Sequence, residues 1–434
     1  MLSIPLQRVR DALAIASRAE KEAELWDMAA GTWTPPPGEV GPQPRSDEAS
    51  AAYNRLIRLV YPVGPQVVRT RLAGTIADVT WSDAGRGGKQ LDRRLQQLDL
   101  YDLASGGLIQ MLVTGLVAYS VVRRGDEVAV ARLGGYLEPL LDPDDVEVIT
   151  GLLQAWQTND ERRAGRLWRV RIYDFQDRVL REWVDLADPA DAFSRPPTSE
   201  TAVGYMPHIA IAYRGADGLP LSEMRQGANL LRANYAIQLR IHRVAELHGY
   251  PVPVVVGQAE IPRDWGPGQV LAFPTGQGEF RYVFPDALPV LYELLRQNLE
   301  SIREFFSLPG GSLGTQTPSG EALKEANRKY VQVCNYYAHK LSAALSAAAR
   351  DYARAIGADP VEVEVVPHDM GRSDEMLAQV VNLYREGIIP LSVAARVAQS
   401  HVPGWSDDEL REWVERQEGL ATPEVVARLL GGGA

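Results

Sequence analysis

Three stretches in the second half of this chain repeat apolar residues at three- and four-residue spacing for far longer than an ordinary globular helix does, and they set the architecture. Residues 222 to 248 place Met224, Ala228, Leu231, Tyr235, Ile237, Ile241 and Val244 along a helix; at a rise of about 1.5 Å per residue it reaches about 40 Å. Pro251 and Pro253 stop it, and the runs VPVVVG, QVLAFP and FRYVF, separated by Gly and Pro, read as three short strands of a compact insert. Residues 286 to 307 then carry Leu288, Leu291, Leu295, Leu299, Ile302 and Phe306 on one face and Glu293, Arg296, Glu300 and Arg303 on the other. A chain that leaves and returns through two such rods makes an antiparallel hairpin with the β insert at its tip. The third rod starts near Thr317 or Ser319, either of which can cap its free N–H groups, and runs to Ile356. Its stripe is Leu323, Ala326, Tyr330, Cys334, Tyr337, Leu341, Leu345, Ala348, Tyr352 and Ala355.

The first half is less regular. At 434 residues the chain has room for two or three domains at about 150 residues each. Residues 5 to 29 have helix-compatible spacing, and TWTPPPGEVGPQPRS, with five prolines, then reads as a linker. From Asp47 two helical pieces are expected around Pro62 and Pro65, followed by the glycine-rich WSDAGRGGK. A helix from Asp99 to about Gly115 leads into β-branched runs typical of a small α+β domain, where WRVRIYDF and RVLREWV flank Gln176 and Asp177 as a hairpin. VEVEVVP gives one more strand, and short helices broken by Gly387, Pro390, Pro403 and Gly404 fill residues 372 to 434.

Charge and motifs exclude several functions. With 45 basic and 56 acidic residues the net charge is -11, which argues against coating nucleic acid by bulk attraction. Fourteen acidic against six basic residues from Gly357 onward put most of that charge at the C-terminal end. The single Cys334 allows no disulfide framework within one chain and fits a reducing compartment. The longest apolar run, residues 108 to 122, is interrupted by Gln110, Thr114, Gly115 and Ser120 and falls short of the roughly 18 to 20 residues of a membrane span. The N-terminus lacks the apolar block of a secretory signal, so a cytoplasmic product is expected.

GRGGK has Asp83 where a phosphate loop needs its first glycine and Gln90 where it needs Ser or Thr. Gly310 to Gly314 match Gly-x-Ser-x-Gly, which would make Ser312 the nucleophile of a serine hydrolase, but that elbow requires a strand before it. The plainer reading of residues 309 to 320, with four glycines and two prolines, is a mobile loop. The histidines at 208, 242, 248, 339, 368 and 401 form no HExxH, and the acidic run at Asp142, Asp144, Asp145 and Glu147 lacks the glycine of a calcium loop. No cofactor, no metal and no enzymatic activity are expected. Periodicity leaves two arrangements open for the rods: one ordinary core within a monomer, or copies standing side by side in a ring.

One stretch resembles a known family. PHIAIAYRGADGLPLSEMRQGANLLRANYAIQLRIHRVAELHGYPVPVVVG is similar to tailed-bacteriophage portal proteins where the wing enters the stem. In the same order follow the returning helix, a loop ending in PSGEALKEAN, the long helix, and the turn-helix EGIIPLSVAARV; upstream, YLEPLLDPDDVEVI is similar to the strand and loop where portal wings turn. The resemblance covers most of the chain from about Asp47 and leaves residues 1 to 46, an N-terminal arm with its Pro-rich linker, unassigned. It implies a mainly α fold with α+β parts: an elongated subunit with a wing at 47–221, stem helices at 222–249 and 286–308, a β clip at 250–285, a tunnel loop at 309–322, a long tunnel helix and strand at 323–371 and a helical crown at 372–434.

The same resemblance implies a homo-oligomeric ring, usually of 12 subunits, at one capsid vertex of the virion, assembled from subunits made in the host cytoplasm. Double-stranded DNA would pass through the central tunnel during packaging and ejection. The large terminase subunit, the major capsid protein and a head-tail adaptor would be partners, and no membrane is involved. By position, Leu313, Thr315, Gln316, Thr317, Ser319, Glu321 and Lys324 would face DNA at the tunnel loop. Arg225, Arg232, Arg240, Arg243, Glu293, Arg296 and Glu300 would serve either inter-subunit pairs or DNA, and Gln258, Glu260, Arg263, Asp264, Trp265, Gln277 and Glu279 would form the clip docking surface. Alternatives are the Ser312 hydrolase, or another head-tail scaffold such as an adaptor or minor capsid protein.

Overall fold

A computed structural model describes residues 15–35, 47–82, 93–124, 127–159, 166–248, 252–257, 278–283, 287–315 and 321–368. The glycine-rich run at 83–92, the QVLAFP run, the capping candidates Thr317 and Ser319, and the crown at 372–434 lie outside the described residues.

Helix α1 (Ile15–Ala30) precedes α2 (Asp47–Ile57) and α3 (Gly64–Thr75), the two pieces expected around the prolines; Pro65 sits in the first turn of α3, where its missing N–H costs nothing. Strand β1 (Asp78–Ser82) and the short α4 (Arg93–Gln96) lead to α5 (Leu100–Thr114). Asp99 caps α5 by accepting from the Asp102 N–H at 2.9 Å, and Gly115, in the left-handed region at φ 88°, ends it. The helix is apolar nearly all round because it is enclosed: Ala104, Leu108, Met111, Leu112 and Val113 are buried.

Two antiparallel sheets follow. Strands β2 (Leu116–Arg124) and β3 (Glu127–Arg132) pair, and β9 (His208–Ile211) joins the other edge of β2. A five-stranded meander runs β4 (Tyr136–Leu141), β5 (Ile149–Asn159), β6 (Arg166–Asp174), β7 (Val179–Leu186) and β8 (Ser199–Ala202). The β6–β7 hairpin turns at Gln176 and Asp177 as the sequence predicts. A two-residue pair, β10 (Tyr213–Arg214) with β11 (Pro220–Leu221), brings the chain to α6 (Glu223–His248). Then come β12 (Val252–Gly257) and β13 (Gly278–Val283), paired antiparallel, α7 (Ala287–Phe305), α8 (Glu321–Ile356) and β14 (Glu362–Val366).

The stripe expected on α8 is the one buried: Tyr330, Cys334, Tyr337, Leu341, Leu345, Ala348 and Tyr352 all lie inside. Cys334 is a core residue, 1% exposed, and the stripe packs on α3, α5 and the β2 sheet. On α6 the burial departs from expectation at one place. Leu239 is buried and Ile237 only half so, because the far part of α6 meets Leu56 and Val60 instead of continuing along the main core. Helix α1 also contributes to the core, with Leu25, Met28 and Ala29 buried against α3, α5 and α6.

β1 pairs antiparallel with β14, so chain segments remote in sequence share one ribbon. Helix α8 fastens it: Ser346 Oγ accepts from the Val363 N–H at 2.8 Å and donates to the Val363 carbonyl at 2.9 Å, while Ser342 Oγ accepts from the Val365 N–H at 2.8 Å. Four helices meet at Arg71 of α3, which is 1% exposed. Its guanidinium donates to Glu223 at 3.4 Å at the start of α6 and to the Phe306 carbonyl just past α7. It also contacts Cys334 Sγ at 3.9 Å and lies over the rings of Tyr330 and Tyr337, 5.7 and 5.9 Å from their centroids, all on α8. Burial works against its charge, but Glu223, with help from Cys334 and Tyr337, outweighs that and raises its pKa.

Replacing Arg71 with Met removes the cation and leaves Glu223 without its partner in a partly buried place. Breaking such a pair costs about 3 kcal/mol or more, so Arg71→Met is expected to lower the urea midpoint by that equivalent, with little change in slope.

Candidate functional site

The hairpin of α6 and α7 is the element with the clearest functional geometry. Asn298 Nδ2 donates to the Leu230 carbonyl at 3.2 Å, and a Cβ on Gly227 would fall 2.3 Å from Phe306. Position 227 thus faces 306 and position 230 faces 298, so the rods run antiparallel, and glycine at 227 is what admits the Phe306 ring. The β12–β13 pair joins their far ends with Val252 opposite Val283 and Gly257 opposite Gly278. Of the clip surface expected from sequence, only Glu279 falls on a described strand, opposite Val256; Gln258, Glu260, Arg263, Asp264, Trp265 and Gln277 lie outside the described residues.

Helix α7 has three faces. Leu288, Leu291, Leu295, Leu299, Ile302 and Phe306 form the expected inward stripe, half-buried toward the tip and fully buried at Ile302 and Phe306. A charged face follows, where Arg296 pairs with Glu293 at 2.7 Å and Arg303 with Glu300. Hydrogen bonds from Arg296 and Gln297 draw the Glu293 carboxyl down to about 2. The third face is apolar and open to solvent: Val290 is 60%, Leu294 44% and Phe305 42% exposed. At about 100° per residue these three fall within one narrow arc, with Ser301 between them. Sequence reading missed this row because Glu293, Arg296, Gln297 and Glu300 interleave with it; the four-residue step from Val290 to Leu294 was the available signal.

The stem arginines do not share one environment. Arg225, Arg240 and Arg243 of α6 are exposed, whereas Arg232 is held by Glu24 of α1 at 2.6 Å. Nearby on α1, Glu22 is only 5% exposed; burial raises its carboxyl to about 7, against the weaker opposing effects of a hydrogen bond from Trp26 and the charge of Arg225.

At the proposed tunnel loop, the described part, through Thr315, is a tight turn seated on the core. Gly311 takes the left-handed region at φ 80°, Leu313 packs against the main core, and Thr315 Oγ1 donates to the Ser312 carbonyl at 2.7 Å. Gln316, Thr317 and Ser319 lie outside the described residues, and Glu321 and Lys324 open α8. Ser312 follows helix α7 instead of a strand, and among the described residues its buried hydroxyl has no hydrogen-bond partner to act as a general base. The hydrolase elbow is therefore not formed.

Among the described residues no group of His, Cys, Asp and Glu is arranged to hold a metal ion, and no helix is long and apolar enough to cross a membrane. No protein-family model and no curated protein matches the chain. Solved structures similar to it include a chain from the neck of an empty gene transfer agent particle computed with C6 symmetry, at 16% identity and a TM-score of 0.46, covering 85% of this chain and 96% of that one. A chain from the virion of a native gene transfer agent particle is 15% identical over 90% of this chain and 98% of that one, with a TM-score of 0.42. A third, from the neck of the native particle computed with C12 symmetry, is 13% identical over 85% and 94%, with a TM-score of 0.35.

The Glu22 carboxyl yields a pH-dependent outcome. Below about pH 4.5 it is protonated folded and unfolded alike; between 4.5 and 7 only the unfolded chain ionises, so stability falls, and above about 7 the full loss is present. That gap corresponds to about 3 kcal/mol at about 1.4 kcal/mol per pKa unit. Glu22→Gln, which can still accept from Trp26, is expected to be more stable than the parent at pH 8 by up to that amount and equal to it at pH 4. Urea titrations at the two pH values measure both.

Proposed function

We propose that this chain is the subunit of a portal ring at one vertex of a tailed-bacteriophage-like capsid. The observation that carries the reading is the α6–α7 hairpin: two long antiparallel rods joined through β12–β13, with an apolar row at Val290, Leu294 and Phe305 that no described residue covers. Such a row on a soluble protein is a partner surface, and identical neighbours around a closed axis cover it without leaving an unsatisfied end. The order of parts in the sequence, from wing through stem, clip, returning stem and tunnel loop to the long helix, supports the same assignment.

In this role the protein is a conduit and not a catalyst. A duplex that must slide cannot meet many neutralising cations, because each phosphate they cover releases counterions and strengthens attachment. The net charge of -11 and the absence of Lys and Arg from Pro309 to Gly320 suit weak, reversible contact. The large terminase subunit would dock at the clip during packaging and a head-tail adaptor afterwards, with the major capsid protein around the wing. Arg225, Arg240 and Arg243, exposed on α6, remain available for neighbours or DNA.

Native mass spectrometry of the purified protein is expected to show a closed oligomer of about twelve copies. The double substitution Val290→Asp with Leu294→Asp, on solvent-exposed positions, is expected to leave circular dichroism unchanged and shift the mass to monomers and small fragments of the ring. A parent protein that stays monomeric at micromolar concentration overturns the proposal.

A further inference from the structure

Away from the hairpin, a cleft of about 430 Å³ opens between α1 and the corner joining β3 to β4, a volume within the range of small-ligand and side-chain receptor sites. Its walls are aromatic: Trp26 from α1, Tyr136 from β4, Trp156 from β5 and Trp168 from β6. Its enclosed acid is Glu22, and the exposed Glu20 also lines it. Arg132 and the Gly134–Gly135 backbone also line it.

Four observations specify the ligand. Glu22 is nearly enclosed, and among the described residues no cation pairs with it directly, Arg225 acting on it only through space. Aromatic faces around an acid attract a cation through both their quadrupoles and its charge. One ring of this set already does so: the Arg171 guanidinium lies 5.0 Å from the Trp156 centroid. The hydroxyl of Tyr136 on the other wall is turned to Glu138, which it meets at 2.5 Å and which Arg18 holds at 3.1 Å, so it does not compete for the incoming charge. Finally, the mouth suits a main chain. A Cβ on Gly134 would meet nothing within 4 Å, leaving the backbone there open to close approach, and Arg132, exposed and bonded to Gln110 at 3.0 Å, can donate to a peptide carbonyl.

The geometry points to a receptor site for a basic side chain, an arginine in the first instance, presented on an extended segment of a partner protein, with Glu22 as its counter-ion and the tryptophans as its walls. The site also gives a reason for a buried acid that lowers stability at neutral pH: a binding group is kept where a neutral residue would be more stable. Proton release accompanies docking, because the cation favours the ionised carboxylate.

The test uses the full chain at pH 8 and a fluorescein-labelled, amidated peptide of sequence Gly-Ser-Arg-Ser-Gly, read by anisotropy, beside the same peptide with citrulline, which keeps the shape and removes the charge. Saturable binding of the arginine peptide is expected, at least tenfold tighter than that of the citrulline peptide. Glu22→Gln is expected to reduce the arginine peptide to the citrulline level while leaving the citrulline peptide unchanged, a coupling that a loss of folding would not produce. Equal binding of both peptides, retention of the preference in Glu22→Gln, or no saturation up to millimolar concentration overturns the inference. Because none of these outcomes depends on ring formation, failure here leaves the portal assignment to its own measurement.

Discussion

A buried cation organises the centre of this molecule. Arg71 is almost fully removed from water, and a charge in that position persists only where a counter-ion and an acceptor are brought to it. Glu223 and the Phe306 carbonyl supply them from the two ends of the helical hairpin, and Tyr330, Tyr337 and Cys334 enclose it from the longest helix. Hydrophobic contact alone tolerates sliding of one rod along another. A shared guanidinium does not, since a shift of even one residue removes an acceptor from reach. The angle at which the hairpin leaves the body is therefore set by a polar contact inside an otherwise apolar junction.

Much of the architecture was legible because long helices repeat their signal many times over. The α8 stripe from Tyr330 to Tyr352 is buried as its spacing predicts, and Asp99 and Gly115 delimit α5 because side-chain capping and left-handed backbone are chemistry local to those residues. What escaped the reading depends on tertiary neighbours. Leu239 is buried in place of Ile237 because α2 happens to end beside it. Nothing in the spacing of α1 singles out Glu22, which only the tertiary packing of that helix makes a buried acid. The apolar row of α7 was hidden by charges that alternate with it, and the packing of Leu313 against the core depends on neighbours that its glycine-rich surroundings do not announce.

The candidate surfaces differ in kind. On the hairpin the exposed apolar row is a strip of three side chains along one helix, without a charge of its own. In the α1 cleft the chemistry is concentrated in one acid and four rings, the character of a pocket that chooses a side chain. One chain can carry both without conflict, because they lie on separate elements.

The ribbon of β1 and β14 has a consequence for how the molecule is made. Asp78 leaves the ribosome long before its partner Val366, which follows only after both rods, both sheets and the longest helix have been synthesised. Closing so large a loop is entropically slow and adds heavily to contact order. The early strand waits without this partner until then, and Ser342 and Ser346 are placed to capture the late strand once it emerges. Maturation of the body is thereby tied to synthesis of a strand nearly three hundred residues downstream of its partner.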